Sequence, residues 1–245
     1  MSSGTVAVVS DIHGNSVALR SVLEDLDAES PELIICLGDI VGRGPDPLGS
    51  LSLIRRSGAL CVVGNIDAVV SGKAPDAFDH TRGHQMREID DWSRKLLSAD
   101  DRIFINSLPL TRSLPSASLN VFCFHASPSS FMEGIDCSTS QERLEAMLHH
   151  HGADIFLCGH THQRMIRHCS HSTLLNPGSV GLPYRVSGGR QFRPIKAEYA
   201  LVGTRGRSFS FEFREIGYDF EALRSSVLSS DMPNGEWWLS QWKGE

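Results

Sequence analysis

Short apolar runs recur along the chain, and five of them end in the same way. TVAVVS (5–10), LIICLG (33–38), LCVVG (60–64), NVFCF (120–124) and DIFLCG (154–159) are rich in β-branched and aromatic residues and are predicted strands. Each stops at a side chain that can ligate a metal: Asp11 and His13, then Asp39, Asn65, His125, and finally His160 with His162. Amphipathic segments separate the first three runs. Residues 16–28 set Leu19, Val22, Leu23 and Leu26 on one stripe, and residues 46–57 do the same with Leu48, Leu51 and Ile54, so both are predicted helices. Strand, helix, strand, helix, strand predicts a parallel sheet with helices over both faces, where ligands gather beyond the carboxyl ends of the strands. The five clusters are therefore expected on one rim.

Residues 83–107 break this rhythm with a charged segment predicted as two short helices anchored by Met86, Ile89, Leu96 and Leu97. We expect one domain over residues 1–245, with a helical cap insertion at 72–107. Residues 140–151 form a further amphipathic pattern, while 164–176 and 197–216 alternate in the manner of antiparallel edge strands. His168, Cys169 and His171 have ligand-like spacing but fall where one strand turns into the next, so a hairpin tip is expected there. His149 to His151 close a helix, where partly positive rings suit the dipole. Trp237, Trp238 and Trp242 crowd the tail and are expected to pack onto the body.

Composition narrows the class of function. The 245 residues are 40% hydrophobic and 21% charged, enough apolar material for a full core. Lys plus Arg is 23 against 29 for Asp plus Glu, a net charge of -6, so no bulk grip on nucleic acid is expected. No run approaches the roughly 18 apolar residues of a membrane span, and the start, MSSGTVAVVSDIHGN, has neither a basic region nor a long apolar one. A cytoplasmic protein is expected. Cys36, Cys61, Cys123 and Cys158 lie inside apolar runs, as reduced core thiols do, and no CxxC pair occurs.

The ligand set then defines a chemistry. Asp11 and His13 are separated by one residue, so on a strand exit both can turn to the same cation. Asp39 adds a carboxylate, Asn65 a neutral oxygen, and His125, His160 and His162 three imidazoles, with no thiolate. This mixture suits manganese, iron or zinc better than calcium or an iron–sulfur cluster. Seven ligands exceed one tetrahedral ion and match two ions sharing a carboxylate, a hydrolytic site about 3.5 to 4 Å across. A lone strand-end Asp or buried His is ordinarily a hydrogen-bonded structural residue. Five such ends in one chain are not an ordinary coincidence.

The ordered blocks SDIHGN (10–15), GDIVGRGPDP (38–47), GNID (64–67), FHASP (124–128), GHTH (159–162) and NPGSVG (176–181) resemble the calcineurin-like metallophosphoesterases, and most of all their small bacterial and archaeal phosphodiesterase branch. The resemblance implies an α/β four-layer sandwich, two mixed β-sheets flanked by α-helices. It places Asp11, His13 and His162 on one divalent transition-metal ion and Asn65, His125 and His160 on a second, with Asp39 bridging. Manganese is expected first, iron or zinc as alternatives. A hydroxide shared by the ions would attack phosphorus in line. Two divalent cations and two carboxylates leave about +2 at the site, so an acidic protein can still capture a phosphate ester. Arg43 stands where related phosphatases carry an arginine that grips phosphate, and its planar fork suits two phosphate oxygens. Asn176, Pro177 and Gly178 form a turn that the resemblance sets beside the rim.

Two departures bear on mechanism. Many members of the family read GNHE or GNHD, their His donating a proton to the leaving group and pairing with an Asp of a GDxxDRG block. Here Ile66 and Gly42 stand at those positions, so that dyad is absent, along with a general-acid contribution of roughly 10² to 10⁴ in rate. Asp67 keeps the acidic end of the motif and is expected to cap the segment after it. The expected function is a metal-dependent phosphodiesterase acting on small organic phosphate esters with good leaving groups. The alternatives are a diadenosine tetraphosphate hydrolase, a broad phosphatase, or a non-catalytic protein-binding scaffold whose metal site has decayed, as in a retromer subunit of similar fold. Substrate choice is expected to lie in 72–107, 127–138 and 184–194, where no motif can be read.

Overall fold

A computed structural model describes residues 3–74, 83–115 and 119–243, and in it each of the five apolar runs forms a strand. β1 (Ser3–Val9) is followed by α1 (Ser16–Glu29), β2 (Leu33–Cys36), α2 (Pro47–Ser57), β3 (Leu60–Cys61) and α3 (Asn65–Ser71). Then come α4 (His84–Leu96), α5 (Ala99–Ser107), β4 (Thr111–Pro115), β5 (Asn120–Phe124), α6 (Gln141–Leu148) with a 3-10 turn at His149–His151, and β6 (Ile155–Leu157). The chain ends in β7 (Met165–His168), β8 (Thr173–Asn176), β9 (Arg185–Ser187), β10 (Arg190–Pro194), β11 (Lys196–Arg205), β12 (Ser208–Gly217), α7 (Phe220–Ser229), α8 (Gly235–Leu239) and β13 (Trp242–Lys243).

Local chemistry sets the helix ends. Asn15 accepts from the Ala18 amide to start α1. Asp46 accepts from the Gly49 amide to start α2, which carries Pro47 in its first turn and closes on left-handed Gly58.

One sheet runs β12-β11-β1-β2-β3 and a second β4-β5-β6-β8-β7. In the first, β1, β2 and β3 are parallel, and β11 joins β1 antiparallel. In the second, β5, β6 and β8 are parallel. The pleat sorts side chains between layers. Ala7, Val9, Cys36, Cys61 and Val63 face α1, α2 and α3. Their neighbours Val8, Ile35, Leu37 and Val62 meet Cys123, Ile155, Leu157 and Leu175 of the second sheet. The far face of that sheet, with Phe124, Phe156 and Leu174, packs on Leu144 and Leu148 of α6. The layers are helix, sheet, sheet, helix, as the resemblance implies.

The periodicity-based expectation of helices over both faces of the parallel sheet is thus corrected. One face holds helices and the other a second sheet, because a continuous apolar run is compatible with either partner. Of the expected anchors, Leu51, Ile54, Ile89 and Leu97 are buried, whereas Leu48 and Leu96 are each 40% exposed; Leu53 of α2 is buried as well. The two helices expected over 83–107 are present as α4 and α5, which pack with α3 in one core cluster through Ile89, Ile105, Val69 and Val70. Of the 72–107 insertion, residues 75–82 lie outside the described residues. Residues 169–172 form a tight turn between β7 and β8, closed by Cys169 N–H donating to Ser172 O at 2.9 Å. Cys36, Cys61, Cys123 and Cys158 are free and buried. Among the described residues, no helix is long and apolar enough to cross a membrane.

Candidate metal centre

The carboxyl ends of β1, β2, β3, β5 and β6 converge, bringing Asp11, His13, Asp39, Asn65, His125, His160 and His162 together. Asp11, His13, Asp39, Asn65 and His125 are at most 1% exposed. The turns that carry them are sharp: Asp11, His13, Asp39, Arg43, His160 and His162 all have φ between 49° and 70°. Asp and His tolerate the left-handed region better than most residues, but each such turn is held only where its surroundings enforce it. Here the enforcement is backbone pairing. The Asp11 and His13 amides donate to Gly38 O and Asp39 O, and the Gly181 amide donates to Asp11 O. Asn176 Nδ2 donates to Gly159 O at 2.7 Å, bracing the turn that bears His160. Ser179 Oγ donates to Asp11 O at 2.7 Å. The 176–181 turn therefore supports the rim from behind.

The ligand atoms converge on one another, and several of them meet acceptors in place of hydrogen-bond donors. His125 Nδ1 donates to Leu37 O at 2.7 Å, which in the neutral ring leaves Nε2 a bare acceptor, and that atom lies 2.9 Å from the acceptor Asn65 Oδ1. His162 Nδ1 donates to Leu182 O at 2.8 Å, leaving Nε2 at 3.1 Å from His13 Nε2 and 3.3 Å from Asp11 Oδ1. His160 Nδ1 is 3.0 Å from Asn65 Oδ1 and 3.3 Å from His125 Nε2. Asp39 Oδ2 stands 3.5 Å from both His13 Nε2 and His125 Nε2, between the two groups, while its Oδ1 accepts from the Ile66 amide at 2.7 Å. Asp11 Oδ1 is buried and has no hydrogen-bond partner among the described residues. Facing lone pairs and an orphan carboxylate oxygen are destabilising by themselves and become favourable around cations. Two overlapping sets, Asp11, His13 and His162, and Asp11, Asp39 and His125, each have ligand atoms within 4.8 Å of one another. The residues fit divalent cations.

The field is consistent with that. Burial alone would raise Asp11, yet the charges of His162, His125 and His13 hold it below the ordinary carboxylate range. Burial together with His162 and Arg43 depresses His13. At His125 burial is outweighed by Asp39 and Asp11, which raise it, so the negative field there favours a positive charge.

Arg43 is placed at the rim by α4. Its amide donates to Asp90 Oδ1 at 3.0 Å, and its Nε is 3.9 Å from Asp90 Oδ2. Trp238 Nε1 donates to Arg43 O at 2.6 Å. Asp67, expected to cap the segment after it, is instead the third residue of α3; it accepts from the Gly64 amide at the start of that helix and from the Ile40 and Val41 amides at 2.8 and 3.0 Å. Burial and nearby Asp39 push it up to about 7. Ile66 and Gly42 prove to be one feature, because a Cβ on Gly42, at φ 75°, would stand 2.3 Å from Ile66 Cγ2. Sequence reasoning missed Asp90 and Trp238. Asp90 shares the inner face of α4 with Met86, Ile89 and Ser93, and a carboxylate on an apolar stripe was the available signal.

Residues 5–203 match the model of the calcineurin-like phosphoesterase superfamily domain, and the chain belongs to that family. An uncharacterized protein of Methanocaldococcus jannaschii is 28% identical over 259 residues, covering 100% of this chain and 98% of its own. A hypothetical protein of Pyrococcus horikoshii has the same fold at TM-score 0.78 and 22% identity, over 96% of each chain. A metallophosphoesterase from Sphaerobacter thermophilus matches at TM-score 0.73 and 22% identity, covering 97% of this chain and 98% of that one.

Proposed function

We propose that this protein is a metal-dependent phosphodiesterase acting on small organic phosphate esters. One observation carries the reading: Asp39 Oδ2 sits equidistant, at 3.5 Å, from imidazoles of two facing ligand groups. In this reading Asp11, His13 and His162 hold one divalent cation, Asn65, His125 and His160 hold a second, and Asp39 is shared. The cations would supply Lewis acidity, lowering the pKa of water and neutralising charge on the phosphoryl group.

The remaining work belongs to the chain. The Leu37 and Leu182 carbonyls fix the His125 and His162 tautomers so that each Nε2 points into the site. Arg43, oriented by Asp90, grips non-bridging phosphate oxygens. Ile66 donates no proton, so leaving groups that depart as stable anions are favoured, and diesters or anhydrides are preferred to phosphoprotein monoesters. The donor set accepts manganese, iron or zinc.

The test is hydrolysis of bis-p-nitrophenyl phosphate and p-nitrophenyl phosphate by protein stripped of metal and reloaded with manganese. Metal-dependent diester cleavage that Asp39→Asn lowers by about 100-fold or more is the expected result, since even partners of ligands are worth 10 to 100-fold. A dinucleoside tetraphosphate belongs in the same panel. Bound metal with no cleavage of any ester would leave a scaffold as the better reading.

A further inference from the structure

The stretch 184–194 holds three arginines that the proposed reaction has not used, of which Arg185 is paired with Glu198 and Glu215. Arg193, on β10, has a buried Nε that makes no hydrogen bond, and no carboxylate pairs with it among the described residues. Its Nη1 donates to Leu182 O at 3.0 Å, the same carbonyl that accepts from His162 Nδ1 at 2.8 Å. The guanidinium thus stands one carbonyl away from the imidazole whose Nε2 faces Asp11 and His13.

The C-terminal segment holds both Arg193 and Arg43. Arg193 lies 5.5 Å from the centroid of Trp242, and β10 pairs with β13 through the register Arg193 to Trp242. Trp242 stacks on Trp238 with centroids 3.9 Å apart, and Trp238 Nε1 donates to Arg43 O. Trp242 Nε1 donates to the Tyr218 hydroxyl at 2.8 Å, fixing the ring in turn. One aromatic pair therefore supports the backbone of Arg43 and the side chain of Arg193. Burial and the neighbouring Arg43 charge lower Arg193 to about 10. Holding a desolvated cation beside a second cation is costly unless an anion completes the arrangement. Asp90 is the carboxylate for Arg43, and no described residue supplies one for Arg193.

We propose that Arg193 is a substrate-binding residue that takes a second anionic group, adjacent to the phosphate held by Arg43, so that the site favours organic diphosphates and polyphosphates over singly charged esters. The proposal rests on the phosphoesterase reading for its first phosphate. Its own claim concerns the second.

ADP and AMP serve as probes, their binding to manganese-loaded protein measured by calorimetry with free Mn2+ held constant, and their inhibition of diester cleavage measured in parallel. Arg193→Gln is expected to weaken ADP about tenfold more than AMP, the range of a lost hydrogen bond to a charged group. Arg193→Met, whose stem still covers Trp242, is expected to do the same and carries the test if Arg193→Gln does not fold. Equal weakening of both nucleotides, or of neither, overturns the proposal and leaves Arg193 as packing for Trp242. Calorimetry needs no turnover, so a protein that cleaves no ester refutes the phosphoesterase reading separately.

Discussion

At the scale of single residues, the pair Ile66 and Gly42 bears on which esters the proposed phosphoesterase would cleave. Ile66 is fully buried with Cγ2 directly over Gly42, so the proton donor of related enzymes is replaced by a hydrocarbon contact. Asp90 Oδ1 lies 3.0 Å from where a Gly42 Cβ would stand, so a carboxylate is already beside this position. Ile66→His would therefore introduce a ring near a partner able to orient it. The expected outcome is a rise of about tenfold in the ratio of p-nitrophenyl phosphate to bis-p-nitrophenyl phosphate hydrolysis, a small part of what a general acid supplies. An unchanged ratio in a folded variant would remove Ile66 from the account. Gly42→Asp alone is expected to destabilise the protein by about 1–3 kcal/mol, measured by urea unfolding, because its Cβ collides with Ile66 in a left-handed backbone.

At the scale of elements, the second sheet separates stability from chemistry. Leu144 of α6 is fully buried against Phe124 and Phe156 on the outer face of that sheet, away from the rim. Leu144→Ala is expected to cost about 2–5 kcal/mol in urea unfolding while leaving manganese stoichiometry as it is. A variant that lost metal as readily as stability would show the layers to be coupled. The strands and the candidate ligands were legible in the sequence because each apolar run stops at a residue able to ligate a metal, and that punctuation does not depend on tertiary context. What lies across the sheet was not legible. Val8, Ile35 and Val62 face another sheet, yet apolar residues look the same whether a helix or a strand covers them. Nor were β9, β10 and β13 legible, since Arg185–Ser187 and Arg190–Pro194 are short and polar, with no alternation to read. The role of Trp238 depends on a contact with Arg43 across 195 positions, which no local pattern records.

At the scale of the whole molecule, the tail closes the structure onto its own site. Tyr218, Trp242 and Trp238 join the end of β12 to the Arg43 loop through two hydrogen bonds and a stacked ring pair. Burial pushes the Tyr218 hydroxyl up to about 12, against about 10 in an unfolded chain. Its neutral form is therefore favoured by folding: the contribution is intact below pH 10 and is lost as pH rises through 12. Urea midpoints are expected to fall across that window, and to fall less in Tyr218→Phe. Identical pH dependence in the two proteins would show that the tail carries no such load.

A pair of cations joined by Asp39 would be reported directly by manganese. Metal-free protein titrated with Mn2+ and followed by electron paramagnetic resonance should take up two ions per chain and develop an exchange-coupled signal. Asp39→Asn should abolish the coupling. One ion per chain, or two that remain magnetically independent in the wild-type protein, would contradict the account.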